Sequence, residues 1–203
     1  MSLEAQMRAN LGAFPREETI ADGLWPAAVA VTVVANDADP AFLLTRRTAG
    51  LRAHPGQWAL PGGRVDGGES APEAALRELT EELGLRLPAS TVIGLLDDYP
   101  TRSGFSITPV VLWAGHIGKL QPNPAEVASV HRIPLSALEG PEAPRLLTIP
   151  ESDRPVIQMP LGPGRLIHAP TAAILYQLRE VAVHGRWTRV HHFEQPTWAW
   201  GRR

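Results

Sequence analysis

The chain has 203 residues, 44% of them hydrophobic and 20% charged, with a formal net charge of −2 and no cysteine. That length supports one well-filled core, read here as a single domain over 1–203. A slightly acidic chain makes a poor general binder of nucleic acid or of an anionic membrane, and the lack of cysteine excludes a disulfide framework and any thiolate metal site.

The N-terminal "MSLEAQMRAN" has no basic start followed by an apolar run, so no signal peptide is expected and the expected location is cytoplasmic. A short amphipathic segment over 3–12 precedes "LWPAAVAVTVVA" (24–35). This is the longest apolar stretch, too short to span a bilayer and carrying a proline, and its alternation suits a buried strand over about 26–35. "NDADP" reads as a turn and "AFLLTRR" (41–47) as the second strand. A Gly- and Pro-rich loop, "TAGLRAHPGQWALPGG", leads to the first helix. Strands are expected at about 91–97, 106–115 and 126–133, with a helical turn in "IPLSALEG" and a proline-broken hairpin region over 143–168. A second helix over about 171–183 places Ile174, Leu175, Leu178 and Val181 near one face. Mixed strands and helices with long connections favour an α/β sandwich over a bundle or barrel.

The first helix is bounded by its own chemistry. Ser70 and Glu73 form an S-x-x-E capping box, Pro72 sits in the first turn where its missing N–H does no harm, and Gly84 supplies a left-handed terminator. At about 100° per residue, Leu76, Leu79 and Leu83 share a sector of roughly 60°, and Glu78, Glu81 and Glu82 a separate one of about 100°. Like charges at this spacing weaken an isolated helix by roughly 0.2–0.5 kcal/mol per pair. One reading is a solvated face, with Arg77 bridging Glu73 and Glu81. The other is a hard-cation site, since Mg²⁺ and Mn²⁺ prefer carboxylate and carbonyl oxygens. Spacing alone does not choose between them.

The wider window "GGRVDGGESAPEAALRELTEELGL" places Gly63, then Glu69 after five residues, then Arg77, Glu78, Leu79, Glu81, Glu82, Gly84 and Leu85 after seven more. This resembles the Nudix box, G-x5-E-x7-R-E-U-x-E-E-x-G-U with U apolar, at every fixed position. Seven fixed residues at about 7% usage each match by chance on the order of 10⁻⁸ per start position. The resemblance implies an α/β/α sandwich with a mixed sheet, and a Mg²⁺- or Mn²⁺-dependent hydrolase of a nucleoside diphosphate linked to another group. By the family's pattern Glu78, Glu81 and Glu82 ligate metal, with the Gly62 carbonyl as a further candidate ligand. Arg77 orients Glu78, Glu69 supports the loop, and Gly84 ends the helix. The proton acceptor is Glu78, Glu82 or an acid from a later loop, where Glu126 in "NPAEV" is the first candidate and Asp97 and Asp98 stand behind it.

Upstream, "LLTRRTAGLRAHPGQWALPGG" (43–63) resembles the segment L-L-T-x-R-S/A-x3-R-x3-G-x3-F-P-G-G of the coenzyme A pyrophosphatase branch, with Thr48 and Leu60 as departures. "TRSGFSITPVV" and "NPAEVASVHRIPLSAL" are similar to the same branch. That resemblance implies cleavage of coenzyme A or its derivatives to 3′,5′-ADP and 4′-phosphopantetheine. Arg47 and Arg52 become candidate phosphate ligands, with His54, Arg46 and Gly63 beside them. Nudix hydrolases of ADP-ribose, dinucleoside polyphosphates or damaged nucleotides are the alternative. A non-catalytic nucleotide-binding module would be expected to lose box glutamates, which this chain keeps. The C-terminal "WTRVHHFEQPTWAW" (187–200) is not explained by the branch resemblance; it can cap a core, line a pocket or form a homodimer contact, and core or dimer packing is the preferred reading.

Overall fold

The structure, a computed structural model, describes residues 1–19, 23–35, 39–50 and 55–200. Arg52 and His54 therefore lie outside the described residues, as does most of the turn expected at 36–40.

Helix α1 (Leu3–Ala13) is followed by strands β1 (Trp25–Val34), β2 (Ala41–Arg47), β3 (Trp58–Ala59) and β4 (Gly62–Arg64). Then come α2 (Ala71–Leu83), β5 (Val92–Leu95), β6 (Tyr99–Pro100), β7 (Phe105–Gly115) and β8 (Val127–Pro134). The C-terminal part holds β9 (Arg145–Ile149), β10 (Ser152–Pro160), β11 (Leu166–His168) and α3 (Thr171–Gln177). Eight strands, β1 to β8, form one mixed sheet around a parallel pair, β1 and β7, which run in register from Trp25 opposite Phe105. β2 pairs with β1 only at Val33 and Val34 and then diverges to pair with β8. The segment 58–64 fills the resulting fork: β3 pairs with β2, β4 pairs with β1, and the Pro61 carbonyl between them accepts from the Ala30 N–H at 2.8 Å.

Period-2 burial builds both faces of this sheet. Ala28, Ala30, Val34, Leu43, Val110 and Leu112 meet Ala74, Ala75, Leu79 and Leu83 of α2. The alanines on β1 and α2 remove the bulk that would hold helix and strand apart. Each fully buried leucine here contributes about 1.5–3 kcal/mol. Val31, Val33, Phe42, Leu44 and Val111 point the other way, into a larger core with Met7 and Leu11 of α1, Ile157 and Met159 of β10, and α3. Helix, mixed sheet and a mixed helical layer thus stack as an α/β/α sandwich.

Three stretches differ from the sequence expectation. The region 143–168 is a three-stranded antiparallel sheet, in the order β11-β10-β9, rather than a hairpin. The second helix is α-helical only to Gln177 and continues as a π-helical segment, Leu178–Val183. Its expected stripe is buried, but so are Ala172, Ala173 and Ala182, so the helix is enclosed almost all round. The strand expected over 91–97 stops at Leu95, because Asp97 and Asp98 turn inward to other partners.

Candidate active site

α2 forms as its ends demand. The Ser70 hydroxyl accepts from the Glu73 N–H at 3.4 Å, and the Glu73 carboxylate accepts from the Ser70 N–H at 2.8 Å, completing the capping box. Glu73 is thereby engaged at the helix start, not in the bridge to Arg77 that a solvated face would have given it. At the other end Gly84 adopts φ 64°, and a Cβ there would sit 3.0 Å from the Gln121 side chain.

The carboxylates of the helix occupy three different environments. Glu82 is buried, 4% exposed, and accepts from the Gly62 N–H at 3.3 Å. Burial pushes its pKa up to about 7, against partial relief from that N–H and from the positive charge of Arg47. Glu78 is half-buried, and burial raises its pKa too, opposed by Arg77. Glu81 is exposed and reaches Arg77 Nη1 at 3.2 Å. Arg77 is the hub of this region. Its Nε and Nη2 donate to the two oxygens of Glu69 at 3.0 and 3.1 Å, its Nη1 to Glu78 at 2.8 Å, and its Nη2 also to the Arg64 carbonyl at 2.9 Å. Glu69 in turn accepts from the Asp66 N–H at 3.1 Å, and the Arg77 guanidinium holds the Glu69 carboxyl below its usual range. The guanidinium thus ties the loop before the helix, strand β4 and Glu78 into one unit.

Facing this helix is the glycine pair on the 58–64 crossing. A Cβ on Gly63 would lie 2.2 Å from Glu78 Oε1, and one on Gly62 would lie 2.3 Å from the Ala28 carbonyl oxygen. Any side chain at 63 would displace the carboxylate, so the space belongs to Glu78.

Glu126 reaches the same site from a loop with three tethers. The Asn123 N–H donates to the Glu82 carbonyl at 2.8 Å, Asn123 Nδ2 donates to Glu126 Oε1 at 3.3 Å, and the Thr48 N–H donates to the Glu126 carbonyl at 2.9 Å. The charges of Glu78, Glu82 and Glu126 act on one another, and Arg47 acts on Glu82. Arg47 Nε is buried and, among the described residues, has no hydrogen-bond partner. A buried guanidinium N–H without a partner costs about 1–3 kcal/mol, a cost an anionic ligand would remove. Thr48, one departure from the upstream pattern, donates its hydroxyl to the Ala125 carbonyl at 3.0 Å.

Asp97 and Asp98 are elsewhere. Asp97, 2% exposed, accepts from Arg189 Nη1 at 2.8 Å, Gln177 Nε2 at 2.6 Å and the Glu17 N–H at 2.7 Å. Asp98 accepts from Arg16, Thr108 and the Thr19 N–H. Both clamp the segment after α1 to the core. Neither is a surface acid, and their partners belong to the segment after α1, β7, α3 and the tail instead of the acid-bearing helix.

A cavity of about 420 Å³ opens beside the glycine strand, lined by Arg47, Gly62 and Gly63 and by apolar groups including Val29, Leu60, Phe105, Ile107 and Ile174. Leu60, the other departure, is buried and forms part of its wall, where a phenylalanine would occupy more of the space. Gln195 and Ala199 of the C-terminal tail also line it, while Val190 and Phe193 of the same tail are core residues. Of the three readings the sequence offers for the tail, Val190 and Phe193 answer to core packing and Gln195 and Ala199 to pocket lining, which sequence reasoning had ranked below packing. The groups that meet there are distant in the chain and carry no shared local signal.

The donor chemistry of this helix suits a hard divalent ion: every available side-chain donor is a carboxylate oxygen, and Glu82 is a buried acid whose direct partner is one backbone N–H at 3.3 Å. Among the described residues, however, no three acidic or histidine side chains stand close enough together to enclose an ion as placed; Glu81 is exposed and shares Arg77 Nη1 with Glu78.

Fold and site together define an α/β protein with an acid-bearing helix set against a glycine strand. The NUDIX domain family model matches residues 25–158, more than half of the chain, and the chain belongs to that family. A protein of Pectobacterium atrosepticum named "Uncharacterized Nudix hydrolase NudL" is 42% identical over 110 residues, covering 54% of this chain and 57% of the relative. "Nudix hydrolase 3" of Caenorhabditis elegans is 34% identical over 128 residues, covering 61% of this chain and 53% of its own. The chain spans a little over half the length of these relatives. The crystal structure of a MutT/nudix family protein from Enterococcus faecalis aligns over 80% of this chain and 63% of that one with a TM-score of 0.51 at 18% identity, a likeness of fold.

Proposed function

We propose that the protein hydrolyses the diphosphate bridge of a nucleoside diphosphate joined to a second group, with coenzyme A or its derivatives as the substrate. The observation that carries this reading is the meeting of Glu78, Glu82 and Glu126 in one electrostatic cluster beside the glycine strand, with Arg47, whose buried Nε has no partner among the described residues, acting on the same cluster. Glu78, Glu81 and Glu82 are the residues that would hold Mg²⁺ or Mn²⁺, with the Gly62 carbonyl as a further ligand. Such an ion supplies neutralisation of diphosphate charge and a water of lowered pKa. Arg77 fixes the rotamer of Glu78 through a fork shared with Glu69. Arg47 donates Nε–H to a phosphate oxygen, and Gly63 leaves room for the Glu78 carboxylate beside it. Glu126, on its tethered loop, takes the proton of the attacking water. The coenzyme A assignment rests on the 43–63 pattern, where Arg47 and the Pro61-Gly62-Gly63 run match. The relatives' name NudL adds the hydrolase class and leaves the substrate open.

The test is a panel of coenzyme A, ADP-ribose and a dinucleoside polyphosphate, each with Mg²⁺ and with Mn²⁺, with products identified by mass spectrometry. Release of 4′-phosphopantetheine and 3′,5′-ADP is expected. Rapid turnover of another compound with none of coenzyme A would overturn the substrate. No turnover of any compound, with nucleotide bound equally by the wild type and by Glu78→Gln, would make the protein a binding module.

A further inference from the structure

The proposed chemistry leaves two features unused: the exposed aromatic end of the C-terminal tail and a second cleft beside the first cavity. This cleft, of about 360 Å³, is lined among others by Gln57, Trp58, His168, Thr171 and Trp198. Gln57, Trp58 and Thr171 line the first cavity as well, so the two spaces share a wall and lie on one path leading away from Gly62, Gly63 and Arg47.

Trp198 is 54% exposed, yet its mount is rigid. It stands on a 3₁₀ turn, Thr197–Ala199. Before the turn, Gln195 accepts the Arg102 N–H at 2.7 Å, and Glu194, almost wholly buried, accepts Arg102 Nη2 at 2.5 Å. After it, Trp200 Nε1 donates back to the Gln195 carbonyl at 2.9 Å, and Arg102 lies over the Trp200 ring at 4.8 Å. The Trp198 ring meets His168 edge to face, with centroids 5.2 Å apart and planes at 87°. On the shared wall, Trp58 is itself braced by the His131 ring at 4.8 Å. A lone exposed indole would mean little. Two indoles on fixed mounts lining one cleft, with amide, hydroxyl and imidazole groups between them, form a surface suited to a flat polar ring.

We propose that this cleft binds the nucleobase of the substrate, with Trp198 and Trp58 as stacking surfaces and Gln57, Thr171 and His168 as hydrogen-bonding groups for the base edge. The assignment rests on the diphosphate reading of the neighbouring site. The first cavity is the more apolar of the two, with Val29, Leu60, Phe105, Ile107 and Ile174 in its wall, whereas the second sets its polar groups between two indoles, and His168, held at Nδ1 by Gln158 Nε2 at 3.3 Å, keeps its other ring nitrogen for a ligand. A purine satisfies both requirements of the second cleft, because its faces stack on indole and its edge carries donors and acceptors. His168 also has its pKa lowered by burial, so a neutral imidazole faces the ligand at neutral pH.

The test is a calorimetric titration of the full chain with AMP and with ribose 5-phosphate, which share a phosphate and a sugar and differ in the base. Wild type should bind AMP at least about tenfold more tightly. Trp198→Ala should weaken AMP binding by about tenfold and leave ribose 5-phosphate unchanged, with Trp198→Phe restoring most of the loss. A matching circular dichroism spectrum and melt for the variant would exclude misfolding as the cause. Equal affinity of wild type for the two ligands, no binding of AMP, or no change in Trp198→Ala would overturn the assignment. The titration needs no turnover, so the two readings fail separately. A base-dependent loss in a protein that hydrolyses nothing keeps the cleft and rejects the hydrolase, and turnover with AMP affinity unchanged in Trp198→Ala does the reverse.

Discussion

Replacing Glu82 by glutamine should make the metal-free protein more stable at pH 8 while removing its activity. Glu82 is buried and its carboxyl is pushed from 4.5 up to about 7. The folded state therefore holds the proton more tightly than the unfolded chain does. The stability this contributes is fully present below about pH 4.5 and lost as pH rises to about 7. At about 1.36 kcal/mol for each tenfold change in proton affinity, keeping the group ionised at pH 8 costs the fold roughly 3 kcal/mol. Glutamine carries no charge and can accept the same N–H from Gly62. In chelator, urea unfolding of wild type and variant should give nearly equal stabilities at pH 4.5 and a gap of roughly 3 kcal/mol in favour of the variant at pH 8. For a chain of this size that corresponds to about 6–12 °C in melting temperature. Adding Mg²⁺ at pH 8 should raise the wild type far more than the variant. A gap that is the same at both pH values would refute the reasoning, since it would assign the effect to packing instead of a buried charge.

Three further substitutions separate the roles of neighbouring groups. Gly63→Ala puts a Cβ where Glu78 Oε1 now lies, 2.2 Å away, and a carboxylate end moves more cheaply than backbone. The melting temperature should hold within a few degrees while kcat falls by about 100-fold or more. Arg77→Lys keeps the charge but loses the fork that spans Glu69, Glu78 and the Arg64 carbonyl. It should lower kcat or metal affinity by about 10–100-fold, read by steady-state kinetics over a metal titration. Asp97→Asn loosens a buried ion pair with Arg189 and should cost about 3 kcal/mol in urea unfolding, with kcat of the folded fraction unchanged. A collapse of kcat in that variant would return Asp97 to the chemistry.

The parts of this molecule that were legible in its sequence are those whose cause is local. α2 is written by Ser70, Glu73, Pro72 and Gly84, each of which does its work within a turn of its own position. Strands β1, β2, β7 and β8 follow from runs of apolar and β-branched residues. The short strands β3 and β4 were not legible. They sit in a Gly- and Pro-rich segment with little strand propensity, and they exist because β1 and β2 part and leave unpaired edges. The small sheet of β9 to β11 was masked by Pro144, Pro150, Pro155 and Pro160, which interrupt any alternation. At the site, spacing grouped Glu78, Glu81 and Glu82 but could not say that one is buried, one half-buried and one exposed. The reason is tertiary. Gly62 and Gly63 lie against the first two, while the third stays in solvent with Arg77 as its partner.

That asymmetry bears on how such a site can exist before its ligand arrives. Three like charges on one helix face would repel if all were ionised and dry. Here the most buried acid, Glu82, relieves the conflict by favouring its proton near neutrality, and the most exposed, Glu81, relieves it through solvent and Arg77. Glu78 lies between these extremes, half-buried and bonded to the same guanidinium. The arginine therefore already does, with one positive charge, part of what a divalent ion would do with two. In the proposed site a metal would compete with Nη1 for Glu81 and with the proton for Glu82, while the fork to Glu69 would keep Arg77 in place. Binding should then release protons, most of them between pH 5 and 7, where Glu82 is still largely protonated in the metal-free fold. Calorimetric Mn²⁺ titrations in buffers of different ionisation enthalpy measure that release. No proton release at pH 6 would mean that Glu82 takes no part in holding the ion.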